Sequence, residues 1–468
     1  DHRLSRLDKA RIPKQIETLR EKLEQKQKVH VIIMGCAKNI VDSERLMAQL
    51  KLNDIEVTDS IEDADIAVIN TCGFIDAAKE ESIDMIIANV QRKAKGKLKK
   101  VYAMGCLTER YMVDLQKEIP EVDKFFGNSQ NLDGIMKELG AEYKYELLGE
   151  RMLTTPKHFA YIKISEGCDN PCSFCAIPIM RGKHVGRPIE DIVAEAKLLE
   201  TKGVKELVVI AQDTTYFGLD MYGKRMLPEL LQKVADVDGI EWVRLMYAYP
   251  AKFPKEVLDV IAQHPHICKY LDMPVQHVSD DVLKSMRRGI SQRALRELID
   301  EVRSKVPGIT LRTTMIVGYP TETTKELDEL LKFIEEVQFD RLGVFTYSVE
   351  EGTSAYPLGD PVSAKEKERR KSLVMELQRE ISAKKNEALI GTNQKALIDR
   401  AEGAQFIGRT ERDAPEIDNE VYVSAEENLS VGSFYDVAIE SASEYDLYAR
   451  VVEGNNIPHH LNKLEFIS

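Results

Sequence analysis

The 468-residue chain predicts an α/β protein in three parts. These are an N-terminal open parallel sheet with helices on its faces, a central partial β/α barrel, and a small C-terminal antiparallel β-barrel. Three observations carry this expectation. Between residues 28 and 150, apolar runs alternate with helical patterns, which implies parallel strands joined by crossover helices. From 156 to 360 the alternation repeats through six strand candidates, enough for a full or partial barrel. The last segment has only short β-like runs between Gly, Asn and Asp turns, the pattern of a small barrel or sandwich.

Taken in order, residues 1–27 form a charged extension with an amphipathic helical pattern from Ile12 to Gln27. It lacks the apolar core and small-residue cleavage site of a secretory signal. In 28–150 the strands are expected at Val29–Met34, Ile66–Asn70 and Lys100–Met104. In 156–360 they are expected at Tyr161–Ser165, Glu206–Ala211, Trp242–Tyr247, Lys269–Met273, Thr310–Val317 and Arg341–Tyr347. Residues 361–391 hold a connecting helix, because Ser363–Ile390 is Pro-free and Lys/Glu-rich with apolar residues at helical spacing. The terminal segment, 392–462, has strand candidates Gln405–Gly408, Glu420–Val423, Ser433–Ile439 and Leu447–Val452. No apolar run reaches the roughly 18 residues of a membrane span, and the expectation is a cytoplasmic protein with no membrane partner.

Net charge is −13, which argues against indiscriminate binding to a nucleic-acid backbone. From Ala401 to Ser468 four Lys or Arg stand against fourteen Asp or Glu. That acidity, with Glu411, Asp413, Glu416 and Asp418 in the Thr410–Glu420 loop, predicts a surface that would steer a basic protein.

The seven cysteines, at 36, 72, 106, 168, 172, 175 and 268, are no disulfide framework in a chain of this size. One tight group and several isolated thiols point to metal ligation or thiol chemistry. Ser165-Glu-Gly-Cys-Asp-Asn-Pro-Cys-Ser-Phe-Cys-Ala176 puts Cys168, Cys172 and Cys175 directly after the first strand of the barrel block. Thiolates select iron–sulfur clusters or zinc. A 4Fe-4S cluster takes four ligands and this spacing offers three, which leaves one iron open to chemistry. Such an iron can chelate the amino and carboxylate groups of S-adenosylmethionine and pass an electron into its sulfonium. The other reading is zinc, with His184 as fourth ligand.

Cys36, Cys72 and Cys106 each follow an apolar run, at separations of about one strand–helix–strand unit. In open α/β sheets ligands bind beyond the carboxyl ends of the strands. Three strands could therefore bring three thiols to one rim and hold a second cluster with an open iron. The alternative is three thiols acting as small hydrophobes, which is also how Cys268 is read.

The Cys168–Cys175 segment resembles the signature of the radical-SAM superfamily, in which Phe174 would meet the adenine through its backbone. Gly35-Cys-Ala-Lys-Asn-Ile-Val-Asp-Ser-Glu44, Asn70-Thr-Cys-Gly-Phe-Ile-Asp-Ala-Ala-Lys-Glu-Glu-Ser82 and Met104-Gly-Cys-Leu-Thr-Glu-Arg-Tyr111 resemble the N-terminal motifs of the methylthiotransferases. The likeness spans about 430 residues, with a TIM-like central barrel and a terminal segment similar to the family's TRAM domain. Cys-Ala-Lys-Asn and Val-Asp-Ser-Glu are closer to the branch that modifies a β-carbon of an aspartate in small-subunit ribosomal protein twelve than to the transfer-RNA branches. The resemblance lets Lys38 and Asn39 line the N-terminal cluster, while Asp42-Ser43 reads as a helix N-cap.

Gln212, Asp213, Gln276, His277 and Arg312 match family positions around cofactor and substrate, and Gly318 lies in the Val317-Gly-Tyr-Pro320 turn beside the cofactor. Each could equally be a structural hydrogen-bonding residue. Val278 and Thr321 stand where the family often has Gly. The implied cofactors are two 4Fe-4S clusters and S-adenosylmethionine, with the ribosomal protein as substrate and a separate electron donor. The cofactor is then used twice: as methyl donor to a sulfur at the N-terminal cluster, and as source of a 5′-deoxyadenosyl radical at the barrel cluster. Methylthiolation of a transfer-RNA adenosine is the alternative within the same chemistry, and it would need a basic surface. A noncatalytic zinc-stabilised binding module is the alternative outside it.

Overall fold

The computed structural model describes residues 27–452, apart from 129–131, 146–148, 404 and 426–427. The helix expected over Ile12–Gln27 lies, but for Gln27, outside the described residues, as does 453–462 of the expected terminal domain. The chain divides after Met152 into two compact units.

The first unit is a five-stranded sheet, β1 (Lys28–Ile33), β2 (Glu56–Val57), β3 (Ile66–Thr71), β4 (Lys100–Gly105) and β5 (Lys124–Phe125), in the order β2-β1-β3-β4-β5. Every pairing is parallel. Successive strand residues point to opposite faces, and β3, at the centre, is buried along its length because both faces are covered. Val68 packs with Leu46 and Leu50 of the helix Ala37–Leu52 and with Ile135 and Met136 of the helix Leu132–Glu138. Ala67 and Ile69 pack with Ile86, Leu107 and Leu115 on the other side. Glu44 and Arg151, both fully buried, pair to tie the end of this unit to its first helix.

The second unit opens with β6 (Phe159–Lys163) and a short antiparallel pair, β7 (Ser165–Glu166) and β8 (Val185–Gly186). It continues with β9 (Glu206–Ile210), β10 (Trp242–Leu245), β11 (Ile267–Asp272), β12 (Thr310–Val317) and β13 (Arg341–Thr346). The six long strands form one parallel sheet, β13-β12-β11-β10-β9-β6. β6 and β13 are edges, so the barrel is partial. β12 displays both faces: Leu311, Met315 and Val317 are buried beneath helices, while Arg312, Thr314 and Ile316 on the inner face keep some exposure. The helix Ala364–Glu387 adds Val374 and Ile381 to that core.

The chain ends in a closed barrel of β14 (Asn393–Glu402), β15 (Gln405–Thr410), β16 (Val421–Ser424), β17 (Phe434–Ala442) and β18 (Leu447–Val451). β14 pairs with both β15 and β17, which closes the cylinder. The sequence reading had no strand for β14, whose polar ends blur its apolar centre, Ala396–Ile398. Nor is the barrel wholly antiparallel: β16 and β18 pair parallel, because β17 makes the return run between them. Among the described residues no helix is long and apolar enough to cross a membrane.

The acidic Thr410–Glu420 loop corrects an expectation. It is not an open docking surface but packs against five of the six long strands, β6, β10, β11, β12 and β13. Tyr161 Oη donates to Glu416 at 2.6 Å, Tyr270 Oη to Asp418 at 2.6 Å, and Arg312 Nε to Asp418 at 3.2 Å. Arg341 Nε donates to Asp413 at 2.9 Å, and Arg244 Nη1 to the Glu411 carbonyl at 2.7 Å. Glu206 pairs with both Arg244 and Arg409 at 2.8 Å. Buried guanidinium groups need counter-charge; the loop's carboxylates supply it to Arg312 and Arg341, and Glu206 supplies it to Arg244 and Arg409.

Candidate functional site: two sets of three thiols

Cys36, Cys72 and Cys106 all lie at the carboxyl edge of the first sheet. Cys36 is the N-cap of helix Ala37–Leu52, Cys72 directly follows β3, and Cys106 is the first residue of the helix Cys106–Glu118 after β4. β1, β3 and β4 are neighbours, so parallel pairing alone brings the three to one rim. Two glycines show how closely they come. Gly35 has a φ of +86°, and a Cβ there would lie 2.9 Å from the Cys72 Sγ. A Cβ on Gly73 would lie 2.8 Å from the Leu107 backbone and 3.0 Å from the Cys106 carbonyl carbon. Only glycine leaves room for the Cys72 side chain at the first position and for the Leu107 backbone at the second.

Around this rim several polar side chains hold the backbone in place. Ser82 Oγ accepts from the Cys72 N–H at 3.0 Å and donates to the Cys72 carbonyl at 3.1 Å. Asn39 Nδ2 donates to the Met34 carbonyl at 2.7 Å and the Thr71 carbonyl at 3.1 Å, bracketing the ends of β1 and β3. Lys38 is buried beside it. Asp42 and Ser43 are no N-cap: they lie buried within the helix, and Ser43 Oγ accepts from Asn70 Nδ2 at 2.9 Å. The cap is Cys36, nearly two turns earlier, because the helix starts as soon as the chain leaves the rim.

Cys168, Cys172 and Cys175 occupy the loop after β7, at the carboxyl end of the barrel's first strand. The loop is pinned from three directions. The Ser173 N–H donates to the Met286 carbonyl at 3.0 Å, and the Ala355 N–H to the Ser173 carbonyl at 2.7 Å. Asn170 Nδ2 donates to Asp213 at 2.7 Å. Burial pushes the Cys168 thiol up to about 11 and the Cys175 thiol up to about 12, so in the protein alone both keep their protons. Iron coordination would displace those protons, and uptake would release acid.

Among the described residues no three His, Cys, Asp or Glu side chains are gathered as one metal ion would need. A four-iron cluster takes one thiolate per iron and so suits a wider spacing. His184, the alternative zinc ligand, lies against Tyr216 with ring centroids 4.8 Å apart and its Nε2 3.6 Å from Asp220. Burial lowers its pKa.

The other sequence-selected residues divide by position. Gln212, half-buried, and Asp213, buried, follow β9; Asp213 anchors Asn170 and caps the next turn through the Thr215 N–H at 2.9 Å. Gln276 has a φ of 75°, a conformation costly outside glycine, and its Oε1 is buried without a hydrogen-bond partner. His277 is fully buried: Nδ1 accepts from the Ser279 N–H at 3.1 Å, so Nε2 carries the proton and donates to Glu322 at 3.1 Å. The same Glu322 accepts from the Gly318 N–H at 2.9 Å and from Arg370 at 2.6 Å, locking the Gly318 turn. Phe174 packs against Met286, Tyr319 and Tyr347. Arg312 stands apart from these, third in an eight-residue strand and bound to Asp272 at 2.9 Å and to Asp418. It belongs to the charged layer beneath the lumen. Val278 is buried in the barrel core and Thr321 is exposed.

Sequence reasoning missed Asn170, Tyr249, Arg288 and Glu322. Asn170 lies inside the thiol motif and could have been found there. The others are brought in from distant strand ends, and no local spacing marks them.

Three stretches match known families: residues 28–127 the Uncharacterized protein family UPF0004, 162–334 the Radical SAM superfamily, and 390–452 the TRAM domain. The chain is 53% identical, over 93% of its length and 100% of the relative's, to the ribosomal protein uS12 methylthiotransferase RimO of Cytophaga hutchinsonii. It is 54% identical, over 91% of its length and 99% of the relative's, to the same enzyme of Chloroherpeton thalassium. In fold it is similar to the radical S-adenosylmethionine methyltransferase TsrM of Kitasatospora setae, with cobalamin and a [4Fe-4S] cluster bound. There the TM-score is 0.52 at 13% identity, over 71% of this chain and 77% of that one.

Proposed function

We infer the reaction from a premise that these relatives supply: the chain belongs to the RimO family of ribosomal protein uS12 methylthiotransferases. It is a radical-SAM methylthiotransferase, a transferase that uses a 4Fe-4S cluster and S-adenosylmethionine. The substrate is ribosomal protein uS12, and the acceptor is the β-carbon of an aspartate. Relatives of that one activity span over nine-tenths of the chain, which favours the protein substrate over a transfer RNA.

The observation that carries the mechanism is the pair of three-thiol sets, each at the carboxyl ends of parallel strands. Cys168, Cys172 and Cys175 would hold the radical-SAM cluster, and Cys36, Cys72 and Cys106 a second four-iron cluster. Three ligands apiece leave an open position at each. When bound, these groups supply one-electron cleavage of the sulfonium and a carrier for the transferred sulfur, with the electron coming from a separate donor.

The chain's own residues hold and shield. Asp213 and Asn170 fix the thiol loop to the end of β9. The His277–Glu322–Arg370 chain sets the Gly318 backbone where an adenosyl group would lie. Phe174 closes that side with apolar surface. Gln276 keeps an unanswered acceptor at the same end of the barrel, available to a ligand N–H. No acid–base pair is needed for hydrogen-atom removal from an unactivated carbon.

The test is to incubate the anaerobically reconstituted protein with uS12, reductant and S-adenosylmethionine and to sequence the product by mass spectrometry. One methylthio group replacing hydrogen on an aspartate is the expected result. Modification of a transfer RNA with uS12 untouched would overturn the substrate assignment.

A further inference from the structure

Beside the barrel thiols stands one buried cation that no carboxylate answers. The helix Asp280–Ser285 ends at Met286, and the chain turns through Arg287, whose φ is 55°. The turn sends two consecutive arginines to different surroundings. Arg287 donates to Ser354 Oγ at the surface, at 3.0 Å. Arg288 is 4% exposed.

Its guanidinium is fully placed. Nη1 donates to the Cys172 Sγ at 3.3 Å, Nη2 donates to the Pro274 carbonyl, and Nε is buried without a partner. The Tyr249 ring lies under it, 4.2 Å from ring centroid to guanidinium carbon. Tyr249 Oη donates to the Arg288 carbonyl at 2.8 Å and stands 3.7 Å from the same Cys172 sulfur. Among the described residues no carboxylate pairs with Arg288.

A buried guanidinium without an anion is unfavourable by several kcal/mol, so a structure that keeps one has a negative partner in use. Here the sulfur it touches, among the described residues, is the Cys172 thiol of the barrel set. We propose that Arg288, clamped by Tyr249, is a positioning residue that sets the reduction potential of the barrel cluster by donating to the Cys172 thiolate. The inference rests on the reading of Cys168, Cys172 and Cys175 as cluster ligands. Its physics is direct: reduction adds negative charge to the cluster, and a fixed cation with an N–H on a ligand sulfur stabilises the reduced form more than the oxidised one. Cluster potentials respond to both influences. Removing the donor makes the cluster harder to reduce.

The measurement is a redox titration of full-length holoenzyme, following the paramagnetic signal that changes on adding S-adenosylmethionine, which singles out the barrel cluster. Arg288→Gln should lower the midpoint by at least the equivalent of a tenfold change in the reduction equilibrium, about 59 mV for one electron. Arg288→Lys keeps the charge but loses the planar fork, and should fall between. Tyr249→Phe, which keeps the ring and removes the clamp, should shift the midpoint in the same direction by less. A role in packing alone would lower thermal stability and leave the midpoint in place. An unmoved midpoint in Arg288→Gln, with the four-iron signal intact, overturns the proposal. Should that variant assemble no cluster, Tyr249→Phe decides it, and an unmoved midpoint there overturns it. Iron and sulfide analysis of the unsubstituted protein keeps the two failures apart. No iron on these thiols sinks the site itself, whereas a complete cluster with an insensitive midpoint sinks only the role of Arg288.

Discussion

The two ends of the partial barrel are built on opposite rules. At the strand beginnings, Arg244, Arg312 and Arg341 are each answered within the chain, by Glu206, by Asp272 and Asp418, and by Asp413. Two tyrosines complete the layer with hydrogen bonds to the same acidic loop. At the strand ends stand three thiols, with Arg288 Nε and the Gln276 carbonyl oxygen buried without hydrogen-bond partners. Buried polar groups in folded proteins are nearly always paired, and both ends keep exceptions, Arg244 Nη2 and Thr310 Oγ1 below, Gln276 Oε1 and Arg288 Nε above; the upper ones share their end with the three thiols of the barrel loop. The lower end pairs its charges within the chain; on the proposed function, the upper end is where ligands would bind.

That contrast sorts the expected effects of substitution. The largest belongs to the upper end and is chemical: Cys168, Cys172 and Cys175 replaced together by Ala should abolish 5′-deoxyadenosine formation and remove about half of the roughly eight bound irons. Thermal unfolding of the metal-free protein should hardly move, and loss of all iron would mean that the two thiol sets are not independent.

Next comes the lower end, where the effect is on folding. Arg341→Met strands Asp413, whose side chain is 1% exposed. Breaking a buried pair in this way costs about 3–5 kcal/mol. Denaturant titration should show that loss while the folded fraction still cleaves S-adenosylmethionine. A stability change below about 1 kcal/mol, the scale of a surface pair, would remove the distinction between the ends.

The smallest effect is expected at Glu416→Gln. This residue is exposed, and it contributes one hydrogen bond from Tyr161, about 0.5–1.5 kcal/mol. A larger loss would mean that the loop seals the barrel more tightly than its hydrogen bonds indicate.

The sequence revealed the parts that repeat and little of what joins them. Strand–helix alternation located all six long barrel strands to within a few residues, since a parallel sheet buried on both faces leaves near-continuous apolar runs. The placing of the cysteines at strand ends was legible because each set follows apolar strand runs. What escaped was long-range electrostatics. The Thr410–Glu420 carboxylates look from composition like a solvated surface, and only the fold shows Arg312 and Arg341 waiting across 106 and 72 residues. Arg288 escaped for the same reason: next to Arg287 in sequence, it differs only in which side of a left-handed turn it takes. His277 was legible as polar and near the site, but its bond to Glu322 makes it a support for Gly318.

The central claim is that the two thiol sets have different duties, and one assay tests it. Cys36, Cys72 and Cys106 are replaced together by Ala, and 5′-deoxyadenosine and methylthiolated uS12 are measured in the same reaction. Cleavage of S-adenosylmethionine should persist while methylthiolated product disappears. Product at the level of the unsubstituted protein would contradict the account.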